Sequence, residues 1–364
     1  MAIYYWAFVK VSLLPGPAKR GGNNKATALG GPVMKRIAPT LLLAGILACG
    51  AAPPGDAAQK VAVGKAVSEA WTFIPLDVGQ RLGIFERYGI DLAIVNFTGD
   101  AKLQQGLAAE SVSFGLGSGP GMAFTAKGAP DIAVAAYFGA PRNISIIVNQ
   151  DSPLKTDADL KGKTVGISTT GSLTQWLTER ISLAHGWGKD GIKWAALGGL
   201  TPGVAAMRAG QIDGVMGSTE GGYMLAAKHE GRILVTLDKY APVFITHVVF
   251  ARKAIVESDP GLVTRFLEGF FATIDYMKAH EAETDKVAED VLKFSPAVAK
   301  EAYDQEIGGF VPDGRFDPKA VAILKQSFVE LGTLPSAPPD SDLFTTKFVP
   351  VKVPGKSAEA DPSK

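Results

Sequence analysis

The feature that most limits how this chain can fold is a repeated unit. Leu107-Ala-Ala-Glu-Ser-Val-Ser-Phe-Gly-Leu-Gly-Ser118 and Met207-Arg-Ala-Gly-Gln-Ile-Asp-Gly-Val-Met-Gly-Ser218 match in residue type at many positions. Each reads as a helix end, a tight turn, a strand and then Gly-Ser. Around the first copy, short β-branched runs (Val61 to Val63, Ile90 to Phe97, Val112 to Leu116) alternate with helical patterns that reach Tyr88 and Ala109. The same alternation restarts after Asp151: strands at Lys163 to Ile167, Ile192 to Ala196 and Ile212 to Met216, helices at Ser172 to Ala184 and Val204 to Ala209. Strand and helix in alternation specify an α/β fold with mostly parallel strands. Two such units predict two similar lobes. Ligands of open α/β sheets bind beyond the carboxyl ends of strands, so Ser118 and Ser218 are expected to face one another across a cleft.

The last third reads as helical. Ser258-Asp259-Pro260 supplies a cap and a first-turn proline, and Leu262, Val263, Phe266, Leu267, Phe270, Phe271 and Ile274 follow on one face. Two more amphipathic stretches, Asp285 to Phe294 and Asp317 to Leu331, come next, and Gly332 closes the second. Beyond Pro335 the chain reads as an extended strap or a disordered tail.

The N-terminus reads as an export signal. Met34-Lys35-Arg36 precedes an apolar run, Ile37 to Ala48, too short to span a bilayer. A start at Met34 gives a conventional signal peptide and is the expected true start. Ile46-Leu-Ala-Cys49-Gly50 resembles a lipobox, with Leu47 departing from the usual small residue, and makes Cys49 a candidate lipidation site. Cleavage after Ala57 is the competing reading, and both export the chain. Gly50 to Ala58 suits a tether.

With 364 residues and a formal charge of +1, Lys and Arg scattered, the chain has no electrostatic footprint for nucleic acid. The four histidines, His185, His229, His247 and His280, stand in no metal-ligand pattern, and Cys49 is the only cysteine. There is no P-loop, no nucleophile elbow and no dinucleotide fingerprint. No cofactor, metal or catalytic residue is expected.

Several landmarks carry a family likeness: Leu82-Gly-Ile-Phe-Glu-Arg-Tyr-Gly-Ile-Asp91, Lys127-Gly-Ala-Pro130, Asp159-Leu-Lys-Gly-Lys-Thr-Val-Gly-Ile167 and Ala206-Met-Arg-Ala-Gly-Gln-Ile-Asp213. In this order they resemble the nitrate/sulfonate/taurine-type binding proteins, the NMT1/THI5-like and SsuA-like group, over roughly residues 60–271. The resemblance implies a two-lobed type 2 periplasmic binding protein fold, each lobe a mixed sheet flanked by helices, joined by two hinge strands near Ala140 to Val148 and Phe244 to Arg252. Lobe 1 is expected at 59–143 plus 250–350 and lobe 2 at 144–249, with 1–58 a leader and linker and 351–364 a disordered tail. It further implies a periplasmic monomer that binds a small molecule and hands it to an ABC permease and its ATPase. Contact with a membrane would come only through lipid on Cys49.

The expected ligand contacts are these. Ser168-Thr169-Thr170-Gly171-Ser172 follows a strand and opens a helix, an anion-ready site, although Ser172 to Gln175 also reads as a plain capping box. Trp71 and Thr72 follow the first strand; Trp71 reads equally as a core aromatic. Gly99 ends the second strand, with Asp100 as helix cap or contact. Tyr137 and Arg142 precede the first hinge, and Arg142 could pair with a sulfonate or lie on the surface. Ser218 and Glu220 follow the last strand of the repeat. Glu220 conflicts with an anionic ligand unless it sits on an exposed rim. A small organic anion, sulfonate-like or an aromatic carboxylate, is the expected ligand. A thiamine-precursor pyrimidine, a pyrimidine-synthesis enzyme and a sensor subunit remain the alternatives.

Overall fold

The computed structural model describes residues 58–354. The leader, Cys49 and the cleavage site after Ala57 lie outside the described residues, as does the tail from Gly355.

The chain opens with β1 (Gln59–Lys65), α1 (Pro75–Arg81), β2 (Ile90–Asn96), α2 (Asp100–Ala108), β3 (Phe114–Ser118), α3 (Met122–Ala126) and β4 (Asp131–Phe138). A short crossing leads to β5 (Ile144–Asn149), β6 (Thr164–Ile167), α4 (Leu173–Ala184), β7 (Lys193–Ala196), α5 (Leu200–Arg208), β8 (Gly214–Ser218), α6 (Thr219–Ala227) and β9 (Gly231–Thr236). The chain returns through β10 (His247–Arg252) and ends in α7 (Lys253–Ser258), α8 (Pro260–Ala279), α9 (Glu281–Leu292), α10 (Pro296–Glu306) and α11 (Pro318–Glu330).

Two five-stranded mixed sheets result, ordered β2-β1-β3-β10-β4 and β7-β6-β8-β5-β9. In each, three parallel strands carry the βαβ units and a fourth runs antiparallel beside the last of them: β10 against β3, β5 against β8. The repeat read in the sequence is this shared order, with β3 and β8 in equivalent places. Because β10 begins at His247, the return to the first sheet comes slightly ahead of the expected boundary at 250.

The predicted apolar face of α8 is buried throughout. Its start is fixed by Asp259, whose side chain accepts the Leu262 N–H at 2.9 Å, and by Pro260 in the first turn. Phe266 stacks on Phe114 of β3 at 4.2 Å between centroids and 8° between planes, seating the helix on the first sheet. The second lobe has its own small cluster of Ile147, Met207, Val215 and neighbours. Beyond α11 the chain is a strap over the first lobe. Ala133 of β4 donates to the Leu343 carbonyl and accepts from the Thr345 N–H, and Leu343 is fully buried. Among the described residues no helix is long and apolar enough to cross a membrane.

Candidate functional site

The carboxyl ends of β1, β3, β6 and β8 converge on a narrow cleft between the two sheets. Two connected spaces occupy it, about 70 Å³ and about 60 Å³, sharing walls from Val67, Phe73, Ile144, Ser168, Thr174 and His247. Each holds a few waters or the matching part of a small solute. The lobes touch across the mouth: Gly99 lies against Thr169, and Thr201 Oγ1 donates to Glu69 Oε1 at 3.4 Å. An added Cβ at Gly99 would stand 2.5 Å from Thr169 Cγ2, at a φ of 103° that side chains seldom adopt.

The second-lobe wall is a hydroxyl cluster. Ser168 Oγ lies 3.1 Å from Ser172 Oγ and 2.9 Å from Thr174 Oγ1, which also receives the Ser168 N–H at 3.0 Å. The box expected between Ser172 and Gln175 does not form. Ser172 makes no capping bond, and Gln175 Oε1 instead accepts the Gly171 N–H at 2.8 Å. Thr170 is exposed. Ser218 lines the cleft and caps α6, its hydroxyl accepting the Gly221 N–H at 3.3 Å.

On the first-lobe wall Asp100 accepts both the N–H and the hydroxyl of Ser118, at 2.8 and 2.6 Å. Burial raises its carboxyl above the usual range, and these two bonds oppose the rise. Ser118 and Ser218 therefore line adjoining parts of one cleft, and Ser118 is committed to Asp100.

The floor is a polar knot that joins the expected contact Thr72 to Asn143 and His247, neither of which the sequence marks as a contact. Asn143 Nδ2 donates to Thr72 Oγ1 and lies against His247 Nε2, both at 3.2 Å, while Thr72 Oγ1 and His247 Nε2 are 3.4 Å apart. Burial pushes the His247 imidazole down to about 3, with the Gly117 backbone as the smaller opposing influence, so the ring is neutral. Tyr137 stacks on His247 at 5.6 Å between centroids and is itself fully buried in the first lobe, off the cleft walls.

Besides Tyr137, three more expected contacts stand elsewhere. The Trp71 ring packs in the core at 5.9 Å from Tyr303 and from Phe310, while its backbone N–H crosses to the second lobe and donates to Glu220 Oε1 at 2.6 Å. Glu220 is neither in the cleft nor on a rim. It is 1% exposed and its carboxyl meets that of Glu306, the last residue of α10. Burial, then the proximity of Glu220, drives the Glu306 carboxyl well above the ordinary range. Arg142 is exposed and contributes only its carbonyl, which accepts from Thr219 Oγ1 and Gln305 Nε2, both at 3.2 Å. Among the described residues lining the two spaces, the charged ones are Glu69 and Asp100; no Lys or Arg is among them.

The family model described as NMT1/THI5 like matches residues 71–284, more than half of the chain. The chain belongs to the NMT1/THI5-like family. A Haemophilus influenzae protein named for thiamine biosynthesis is 28% identical over 217 residues, covering 57% of this chain and 65% of that protein, just under two thirds of its length. A Bacillus subtilis protein named for binding aliphatic sulfonates is 26% identical over 270 residues, covering 72% and 79%. Among solved structures, the alkanesulfonate-binding protein SsuA of Xanthomonas axonopodis pv. citri, bound to MOPS, superposes with a TM-score of 0.66 at 18% identity, over 77% of this chain and 95% of that one. The desulfurization enzyme DszB also shares the fold, with a TM-score of 0.56 at 14% identity, over 80% and 97%. The fold is thus that of periplasmic binding proteins, and it is used by at least one enzyme.

Proposed function

We propose that this protein is the exported solute-binding component of an ABC importer, and that it holds a small sulfonate-like solute in the cleft between its lobes. The observation that carries the reading is the cleft itself. It lies at the carboxyl ends of strands from both sheets, walled on one side by Phe73 and His247 and on the other by the Ser168 and Thr174 hydroxyls at the opening of α4, with Ser172 buried behind them. A ring or alkyl body fits the first wall, and sulfonate oxygens fit the hydroxyls and N–H groups at a helix N-terminus. Family membership and the sulfonate-binding relative add support. Delivery to a permease and ATPase follows from closure: a solute that prefers the closed arrangement shifts the protein into the form a partner recognises.

Binding is favoured over catalysis by the state of the cleft's one imidazole. His247 is neutral, its Nε2 is engaged by Asn143 and Thr72, and no cysteine lines either space. A nucleophile paired with a free base is missing from these walls. The thiamine-related relative favours a second ligand, a pyrimidine, which the flat Phe73 and His247 faces would also accept.

The test is a thermal-shift and calorimetric screen of the full chain, freed of bound solute, against alkane- and arenesulfonates, carboxylates, nitrate and pyrimidines. A native-state ligand at one hundred times its Kd adds about 2.7 kcal/mol of stability, readable as a shift of a few degrees. A shift confined to sulfonates supports the reading, one confined to pyrimidines replaces the ligand, and turnover of any compound would overturn the binding role.

A further inference from the structure

Asn143 stands in the crossing between β4 and β5, on the floor of the cleft, and is 3% exposed. Its main-chain carbonyl accepts the Thr219 N–H at 2.9 Å and its Nδ2 is used by Thr72 and His247, but its Oδ1 has no partner among the described residues. The amide nitrogen faces Thr72 Oγ1 and His247 Nε2, and the oxygen is turned away from both. A buried acceptor left without a donor is costly, so the oxygen calls for a hydrogen bond from elsewhere.

A second observation points the same way. The cleft walls bear the carboxyl groups of Glu69 and Asp100 and, among the described lining residues, no Lys or Arg. Such a lining carries negative charge and no side-chain cation. It favours a solute that brings N–H groups of its own.

We infer that Asn143 is the specificity-determining residue of the cleft, its Oδ1 accepting a hydrogen bond from an amino group that the captured solute carries. The inference rests on the reading of the cleft as a solute site and narrows the solute to amine-bearing small molecules. A site built around a buried acceptor rejects a methyl isostere strongly, because the analogue leaves the acceptor unpaired.

The test compares isosteric pairs by calorimetry on the full chain: 3-aminopropanesulfonate against butanesulfonate, sulfanilate against toluene-4-sulfonate, and 4-amino-2-methylpyrimidine against 2,4-dimethylpyrimidine. The amino member of the pair that binds is expected to be tighter by about ten- to a hundredfold. Asn143→Leu should abolish the preference, bringing the ratio of the two affinities within that pair to about one. Asn143→Asp, which keeps an acceptor oxygen, should retain the preference and so guards against a mere packing effect. Equal affinities within every pair, or a preference for methyl, would overturn the inference while leaving solute capture intact. If neither member of any pair binds, capture of these chemistries fails and the inference fails with it.

Discussion

Replacing Glu306 with glutamine should make the protein more stable at neutral pH and leave it nearly unchanged in acid. The Glu220 and Glu306 carboxyls are both buried and meet one another, with the Tyr223 hydroxyl close enough to feel both. Lys300 on the same helix is engaged with Glu281 and Asp304. Two carboxylates held together in a buried site repel one another, so the pair keeps one proton. Glu220 is the better anion, because it accepts the Trp71 N–H and lies in the first turn of α6, whereas Glu306 ends α10. The folded pair thus binds a proton that the unfolded chain releases above its ordinary glutamate value of about 4.3. Stability is fully present below that value and is lost as pH rises through the raised folded value, at about 1.4 kcal/mol per pH unit. The amide introduced by Glu306→Gln would donate to Glu220 with no proton to lose, so the variant should pull ahead of the wild type by up to about 1.4 kcal/mol per pH unit above the ordinary glutamate value and differ from it by less than about 1 kcal/mol at pH 4. Urea denaturation of both full chains from pH 4 to pH 8, followed by tryptophan fluorescence, measures the difference. A wild-type and variant separation that stays constant across that range would refute the shared proton.

Gly99→Ala places a methyl 2.5 Å from Thr169 Cγ2 on the facing lobe, at a φ of 103°, so solute affinity should fall at least about tenfold, with about 1–2 kcal/mol lost in stability. Calorimetry with whichever solute the screen identifies checks it; unchanged affinity would show that the lobes need not meet there. Phe266→Ala removes the ring stacked on Phe114 and should cost about 3–5 kcal/mol in thermal or urea unfolding, with selectivity among solutes unaltered.

The architecture was legible because it rests on periodicity. The strand and helix alternation, the paired Gly-Ser strand ends at β3 and β8 and the apolar face of α8 are all local patterns, and each lies where the pattern puts it. Helix α10 escaped, although Ser295-Pro296 is a capping signal whose hydroxyl accepts the Val298 N–H at 3.4 Å, because the buried side includes Ala299 and Ala302, too small to mark a stripe. Missing α10 meant missing Glu306, and without its partner Glu220 could only be weighed as a cleft or rim residue. Asn143 and Thr174 were invisible for another reason. Nothing in a single sequence distinguishes a buried polar residue in a crossing, or a hydroxyl at the second position of a helix, from the many that face water. Trp71 shows a limit of side-chain reasoning, since what it gives the second lobe is its backbone N–H.

The polar floor and the carboxyl pair both adjoin the crossing between β4 and β5, and this links recognition to closure. Asn143 and Arg142 sit between β4 and β5, and their carbonyls accept from Thr219 at the start of α6, the residue before Glu220. On the return path Thr246 donates to the Phe138 and Gly139 carbonyls, and His247 follows it into β10. A rotation of one lobe about these two crossings must move Asn143 against Thr72 and His247, and must stretch the Trp71 to Glu220 bond. A solute group held by Asn143 at the pivot touches residues from both lobes at once. Its binding energy therefore falls on the geometry that differs between open and closed forms, which is the condition for a ligand to shift that equilibrium. A contact of equal strength on one outer wall would raise affinity without favouring either form.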